Sequence, residues 1–143
     1  MHNARFMLAV MTCAGLSLFG CASSSTTGTD AGGGGTAVNG CTAADFAAND
    51  LSAASNARKI TFPSTAAPAQ YQPACFTIAA GQSVTWSGDF ASHPLTQAGG
   101  DPSMWITTTN SGTTVTFGFP VGGTYGFECS AHPSIMKGAV FVK

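Results

Sequence analysis

One stretch decides the fold of this chain: residues 123–140, which read GTYGFECSAHPSIMKGAV. Tyr125 and Phe127 alternate with other residues up to Cys129, and residues 137–143 alternate again, which is the period typical of strands. The eight residues from 129 to 136 lie between these two segments and include Cys129, His132 and Met136. The stretch therefore predicts two adjacent strands whose connecting loop presents a thiolate, an imidazole and a thioether.

These three donors indicate a particular kind of metal site. Soft sulfur combined with imidazole suits copper, and a trigonal His2Cys site with a weak axial Met is the ligand set of blue-copper electron-transfer centres. Such a site needs a second histidine, and His93 in the segment FASHPL is the candidate. We therefore predict one copper ion, cycling between Cu2+ and Cu+, with His93, Cys129, His132 and Met136 as ligands.

Composition limits the possible folds and partners. The chain has 143 residues, of which only 8% are charged, and its formal net charge is −1. It has no basic patch, which argues against nucleic acid as a partner. Thr, Val, Phe and Gly are common in the second half, and long helical patterns are missing from the sequence. This favours an all-β sandwich over a helical bundle or an α/β fold.

The N-terminus has the features of an export signal. Arg5 precedes an apolar run over residues 6–19, which has the length of a signal-peptide core and is too short to span a membrane. The run ends at residues 18–21, LFGC, which resemble a bacterial lipobox. We expect residues 1–20 to be a lipoprotein signal peptide and Cys21 to be lipidated. The alternative is an ordinary signal peptide that is cleaved near residues 20–23.

A tether is predicted between this signal and the domain. Residues 22–40 are rich in Ser, Thr and Gly, and such sequences behave as flexible coil. At about 5–6 Å × √n, their typical span is roughly 25 Å. We therefore expect a lipidated tether over residues 21–40 and a folded domain over residues 41–143. Ala22 does not resemble an inner-membrane retention signal, so in the bacterial cell envelope we expect the outer membrane or periplasm rather than the inner membrane.

The remaining cysteines and histidines can be assigned by elimination. His2 and Cys13 leave with the predicted signal, so the mature chain keeps only His93 and His132 as histidines. Cys41 and Cys75 are left without another role, and in an exported protein this suggests a disulfide. The bridge would stabilise the fold by roughly 3–4 kcal/mol in the chain-entropy model. Metal ligation by Cys41 or Cys75 is the alternative, although neither has a histidine nearby.

The rest of the domain predicts a Greek-key β-sandwich or barrel with six to eight short strands. The predicted elements are a short helix or irregular segment within 42–57, a strand over 59–62, a hairpin formed by 74–79 and 82–86, a loop over 89–102, an edge strand over 104–107 and a strand over 112–119. Thr42 is the expected helix cap, with Asp45 at the third position.

Two stretches together resemble the cupredoxin family, the small blue type 1 copper proteins that include plastocyanin, amicyanin and pseudoazurin. They are GQSVTW at 81–86 followed by HPL at 93–95, and the stretch over 123–140. The resemblance covers roughly residues 74–143. It implies that Cys129 is the thiolate ligand, that His93 and His132 are the imidazole ligands, and that Met136 is the axial ligand.

The resemblance also implies how the protein works. It predicts an electron carrier rather than an enzyme, which meets a redox donor and a redox acceptor in transient complexes and acts as a monomer. His132 would be the electron exit. The docking rim would be formed by Pro94, Leu95, Pro133 and Ile135.

The sequence departs from its relatives at two points. The spacing Cys-x2-His-x3-Met lies between the amicyanin and plastocyanin loops, which leaves the close subfamily open. Pro94 stands where relatives usually have Asn, and proline has no backbone N–H to give to the cysteine sulfur. We expect the Leu95 N–H or the Ser92 hydroxyl to donate instead.

Other functions remain to be weighed against electron transfer. A copper-binding module for sequestration or delivery would use the same ligands. A copper oxidase or reductase would need further histidines, which the predicted mature chain does not have. A zinc site would prefer more Cys or His, and an iron–sulfur cluster would need more thiolates.

Overall fold

The computed structural model of the protein describes residues 37–53, 58–63 and 69–143. It contains one helix, α1 (Ala43–Ala48), and seven strands: β1 (Lys59–Thr61), β2 (Cys75–Ile78), β3 (Gln82–Ser87), β4 (Leu95–Gly100), β5 (Thr114–Phe119), β6 (Gly123–Cys129) and β7 (Lys137–Val142). The predicted signal peptide and most of the predicted tether lie outside the described residues.

The strands form two sheets, which confirms the predicted all-β fold. One sheet has the order β1-β3-β5 and the other has the order β2-β7-β6-β4. The pairs β1–β3 and β2–β7 are parallel, and the remaining pairs are antiparallel. The largest fully buried side chains include Trp86 from the first sheet and Phe76 and Phe127 from the second. Trp86 meets both phenylalanines, with ring centroids 6.5 and 5.4 Å apart, so the core lies between the sheets.

The predicted hairpin of 74–79 with 82–86 is wrong. β2 pairs with β7, whereas β3 pairs with β1 and β5 in the other sheet. The turn at Ala80 and Gly81 carries the chain from one sheet to the other, and Gly81 takes a positive φ of 83° there. Two consecutive strands alternate apolar and polar residues in the same way whether they pair in a hairpin or pack across a sandwich. The alternation alone therefore could not distinguish the two arrangements.

The predicted edge strand over 104–107 is also wrong, because the edge position belongs to β4. β4 lies within the segment that was predicted to be a loop. Gly99 and Gly100 favoured that prediction, because glycine is uncommon within strands. Residues 104–107 instead run beside β4, held by the Gln97 side chain, which donates to the Ser103 carbonyl at 2.7 Å and accepts from the Ile106 N–H at 3.2 Å. A side chain thus provides the bonds that a ladder would otherwise supply.

The start of the domain follows the sequence expectations. Thr42 and Asp45 form a reciprocal capping box that begins α1. Phe46 of this helix packs on Phe141 of β7, with ring centroids 5.7 Å apart. Cys41 is bonded to Cys75, which confirms the predicted disulfide and fixes the segment before α1 to β2.

Hydropathy adds one further observation about the described part of the chain. Its single helix is neither long enough nor apolar enough to cross a membrane.

Candidate metal centre

Three of the four predicted ligands converge at one end of the sandwich. One donor atom each from His93, Cys129 and His132 lies within 4.8 Å of the other two. The Cys129 Sγ is 3.9 Å from the His93 Nδ1 and 3.6 Å from the His132 Nδ1. Metal bonds of roughly 2.0–2.3 Å, arranged at 120°, put a nitrogen and a sulfur donor about 3.7 Å apart. The spacing therefore fits one metal ion held in a trigonal plane.

A closed loop positions Cys129, His132 and Met136. Cys129 is the last residue of β6, and its N–H donates to the Met136 carbonyl at 2.8 Å. Its carbonyl accepts the His132 N–H at 3.0 Å, and the His132 carbonyl accepts the Met136 N–H at 2.9 Å. The loop is thus closed by its own backbone hydrogen bonds, which set the positions of the three Cα atoms.

Asp89 builds the turn that carries His93. The Asp89 carbonyl accepts the His93 N–H at 3.0 Å. Its carboxylate accepts the Ala91 N–H at 3.0 Å and the Ser92 hydroxyl at 2.7 Å. The bond from the Ser92 side chain and then the bond from the Ala91 backbone lower the pKa of Asp89, because both stabilise the ionised form.

The two ligand loops are bonded to each other. Leu95, two residues after His93, pairs with Cys129 in the β4–β6 ladder. The Ser130 N–H donates to the Pro94 carbonyl at 3.0 Å. The separation between the His93 loop and the Cys129 loop is therefore set by backbone hydrogen bonds.

Water has little access to most of this site. Cys129 is completely buried and His93 is 6% exposed, whereas His132 is only half-buried. The ring of Phe62 lies edge-on to His93, with centroids 6.1 Å apart, and also contacts Tyr71 at 5.3 Å. Burial, and then the charges of Cys129 and Glu128, raise the pKa of Tyr71 above its ordinary value. Of these three residues, His132 is the one in contact with solvent.

Sequence reasoning missed Phe62 and Tyr71 as neighbours of the site. Phe62 follows β1 and pairs its N–H with the Ser87 carbonyl at 3.2 Å, at the end of β3 that leads into the His93 turn. Tyr71 then packs between Phe62 and Phe127. In the sequence, these two aromatic residues only flank a proline-containing loop. That pattern does not show that they lie near His93.

Met136 is placed in the same loop, and its side chain is fully buried. Its backbone lies against Cys129 through the hydrogen bond described above. The assignment of its thioether as the axial ligand stays a prediction.

The structure corrects two expectations about the surroundings of Cys129. The Leu95 N–H donates to the Thr109 carbonyl at 2.9 Å and the Ser92 hydroxyl donates to Asp89, so neither is available to the sulfur. Leu95 is also fully buried, because its side chain belongs to the core, so it cannot be part of the predicted docking rim. Pro94 is half-buried, while Pro133 and Ile135 are exposed.

The solved structures that are similar to this chain include cupredoxins. A purple cupredoxin from Nitrosopumilus maritimus is 24% identical, covers 59% of this chain and 98% of its own, and has a TM-score of 0.47. Amicyanin from Paracoccus versutus (Thiobacillus versutus) is 22% identical, covers 64% of this chain and 88% of its own, and has a TM-score of 0.44. No protein-family model matches the sequence, and no curated protein matches it.

A copper-containing nitrite reductase from Thermus scotoductus SA-01 is similar as well. It is 21% identical, covers 59% of this chain and 22% of its own, and has a TM-score of 0.43. All three TM-scores lie below 0.5, so the class of the protein rests on two features of its own structure. These features are a two-sheet β-sandwich and a group of His93, Cys129 and His132 that could hold a metal ion, as the resemblance to cupredoxins implies.

Proposed function

We propose that this protein is a one-electron carrier with a single copper ion, held by His93, Cys129, His132 and Met136. The observation that carries this proposal is the convergence of the His93, Cys129 and His132 donor atoms within 4.8 Å of one another. A thiolate and two imidazoles, with a buried methionine in the same loop, favour copper over zinc, which has no need of thioether sulfur. Copper would supply reversible exchange of one electron between Cu2+ and Cu+.

The protein scaffold supports rapid electron exchange. The ligand loops are bonded to each other through Ser130 and Pro94, and each is closed by its own backbone hydrogen bonds. The donors therefore need to move little when the charge of the site changes. Burial of His93 and Cys129 excludes water, while half-buried His132 brings the site to the surface.

The same burial favours electron transfer over the alternative of copper sequestration or delivery. Handing copper to another protein requires access to the ligands, and the Cys129 and Met136 side chains are completely buried. We also propose that the chain is not an enzyme, because a site filled by four protein ligands leaves no position for a substrate. The test of delivery is copper exchange with a chelator, which we expect to be slow compared with electron exchange.

Copper titration tests the central proposal. Adding Cu2+ to the protein should produce an intense blue colour from thiolate-to-copper charge transfer, and removing the metal should abolish it. Any copper complex of Cys129→Ser should lack that colour, because a serine hydroxyl cannot supply the thiolate-to-copper charge transfer. Ser130→Ala is the matched control, since the exposed Ser130 side chain lies next to the ligand, and it should stay blue. A colourless copper complex of the wild-type protein would refute the proposal.

We propose that partners dock on the exposed surface around His132, formed by Pro133 and Ile135. The Ile135 side chain is 51% exposed and lies three residues from His132. Ile135→Asp should slow electron self-exchange, because it places like charges at the contact. Val121→Asp is the control, since Val121 is 55% exposed but precedes β6 at the end opposite Cys129. Equal rates for the two variants would exclude this docking surface.

We propose, from the sequence alone, that Cys21 carries a lipid that anchors the domain in the bacterial cell envelope. The supporting features are the apolar run that ends at residues 18–21 and the Ser/Thr/Gly-rich segment that follows. Cys21→Ser should release the protein from the membrane fraction of an expressing bacterium. Recovery of this variant in the membrane fraction would contradict the proposal, and sucrose-gradient separation would distinguish the outer from the inner membrane.

A further inference from the structure

We propose that Pro94 sets the reduction potential of the site by leaving the Cys129 sulfur without a hydrogen bond from the His93 loop. This inference rests on the proposed copper site. It concerns the hydrogen bonds to the thiolate sulfur, which help to set the potential of such centres.

The backbone around Pro94 shows where a hydrogen bond would be directed. In an antiparallel ladder, the N–H and C=O of one residue point to the same edge of its strand. Leu95 shows this pattern, since its N–H and its C=O both bond to Thr109, at 2.9 Å each. The Pro94 carbonyl points the other way, to the Ser130 N–H. A backbone N–H at position 94 would therefore face the Cys129 loop, and proline has none.

The other polar groups of the segment bond elsewhere. The Leu95 N–H donates to Thr109, the Ser92 hydroxyl donates to Asp89, and the His93 N–H donates to the Asp89 carbonyl. Within the described residues, the side-chain partners of the Cys129 sulfur are the Nδ1 atoms of His93 and His132, the two predicted ligand atoms. From Ser92 to Leu95, no donor remains for the sulfur.

This absence affects the two oxidation states unequally. When one electron reduces Cu2+ to Cu+, the thiolate donates less charge to the metal, and the sulfur becomes more negative. A hydrogen bond to a more negative acceptor is stronger. An N–H at the sulfur would therefore stabilise the reduced state more than the oxidised state. Because Pro94 withholds that N–H, it favours the oxidised state and lowers the potential.

Pro94→Ala restores the missing N–H and provides the test. At a fixed ambient potential, we expect the ratio of reduced to oxidised protein to rise about tenfold, which corresponds to about 59 mV for one electron. The copper–sulfur stretching frequency should fall, and it should become sensitive to exchange into D2O, because the new N–H bonds to the sulfur. Pro94→Asn supplies the same N–H and should shift both quantities in the same direction.

Pro120→Ala is the matched control. Pro120 is exposed and follows β5 at the end of the sandwich away from the ligands, so this variant makes the same chemical change elsewhere. Its potential and stretching frequency should equal those of the wild type. An unchanged or lower potential in both folded Pro94 variants would overturn the inference.

The outcome also separates this inference from the proposed function. If the wild type and both Pro94 variants are blue but have the same potential, the copper site stands and the role of Pro94 is refuted. If the wild type forms no blue complex, the proposed function and the inference resting on it are both refuted.

Discussion

Met136 and His132 belong to the same closed loop but differ in their contact with solvent. His132 is half-buried and reaches the surface, whereas the Met136 side chain is 0% exposed. The Met136 side chain belongs to the buried core, and its thioether is the predicted weak axial ligand. Substitutions at position 136 should therefore affect electronic properties more than folding.

Met136→Leu separates these two roles of the side chain. Leucine has a similar volume, so we expect a loss of less than about 1.5 kcal/mol in the free energy of unfolding. The blue colour should remain, since Cys129 is intact. The potential should rise, because the oxidised state loses a sulfur donor. Voltammetry and denaturant titration measure the two effects.

Met104→Leu is the control for this substitution, since Met104 is 73% exposed and lies outside the ligand loop. A Met136→Leu variant with the wild-type potential would show that the thioether is not an axial ligand.

At the scale of elements, Asn39 joins strands that are distant in sequence. Its side-chain amide lies 2.9 Å from the Ala98 carbonyl and 3.0 Å from the carbonyls of Phe127 and Gly138. These acceptors belong to β4, β6 and β7. Asn39 lies within the segment predicted to be tether, so the contacts of the domain begin before Cys41.

The neighbouring Gly126 explains how the segment approaches the sheet. A Cβ at Gly126 would collide with the Ala98 carbonyl and would come within 2.9 Å of both the Asn39 amide and Val38. Glycine is therefore needed where residues 38 and 39 cross β6.

Asn39→Ala should destabilise the domain by about 1–3 kcal/mol, because it leaves carbonyl acceptors of the sheet without a donor. Denaturant unfolding of the metal-free protein measures this loss. Asn110→Ala is the control, since Asn110 is exposed, and its effect should stay within about 0.5 kcal/mol. Equal stabilities of the two variants would show that the Asn39 bonds contribute nothing.

In the molecule as a whole, an ion pair links Lys143, the residue after β7, to Asp50 in the segment after α1. The Lys143 Nζ lies 2.6 Å from the Asp50 carboxylate, and both side chains are partly exposed. The hydrogen bond from Lys143, followed by bonds from Ser52, lowers the pKa of Asp50 below its model-compound value of 3.8. The unfolded chain therefore binds a proton at Asp50 more readily than the folded chain does.

This shift predicts the sign of a pH effect. The stabilisation is present above the pKa of the unfolded carboxyl and is lost as the pH falls towards the folded value. Between about pH 6 and about pH 3, the free energy of unfolding should fall less in Asp50→Asn than in the wild type. Denaturant titrations of both proteins at the two pH values measure this difference in the free energy of unfolding.

Lys143→Met removes the cation that pairs with Asp50. In this variant too, the free energy of unfolding should fall less between about pH 6 and about pH 3 than in the wild type. The shifts of Asp45 and Asp89 are also downward, so part of the acid sensitivity should remain in both variants. A pH dependence identical to that of the wild type in both variants would contradict the role of this pair.

The all-β class, the disulfide and the convergence of His93 with Cys129 and His132 could all be predicted from the amino-acid sequence. The alternation around Phe127 is a local property of the chain, and elimination left Cys41 and Cys75 with only one plausible partner each. Cys129 and His132 are three residues apart, so a single loop brings them together. These features could be predicted because they depend on local pattern or on the identity of a few residues.

The pairing of the strands and the hydrogen-bond partners of the polar groups around the site could not be predicted from the sequence and came from the folded structure. β2 and β3 are adjacent in sequence but lie in different sheets, because each finds its partner far along the chain. The Leu95 N–H is taken by Thr109, and Asn39 reaches Gly138 across 99 residues. A hydrogen bond depends on which groups the fold brings within reach, and a local pattern does not encode that proximity. The burial of Leu95, which was expected on the surface, follows from the same long-range packing.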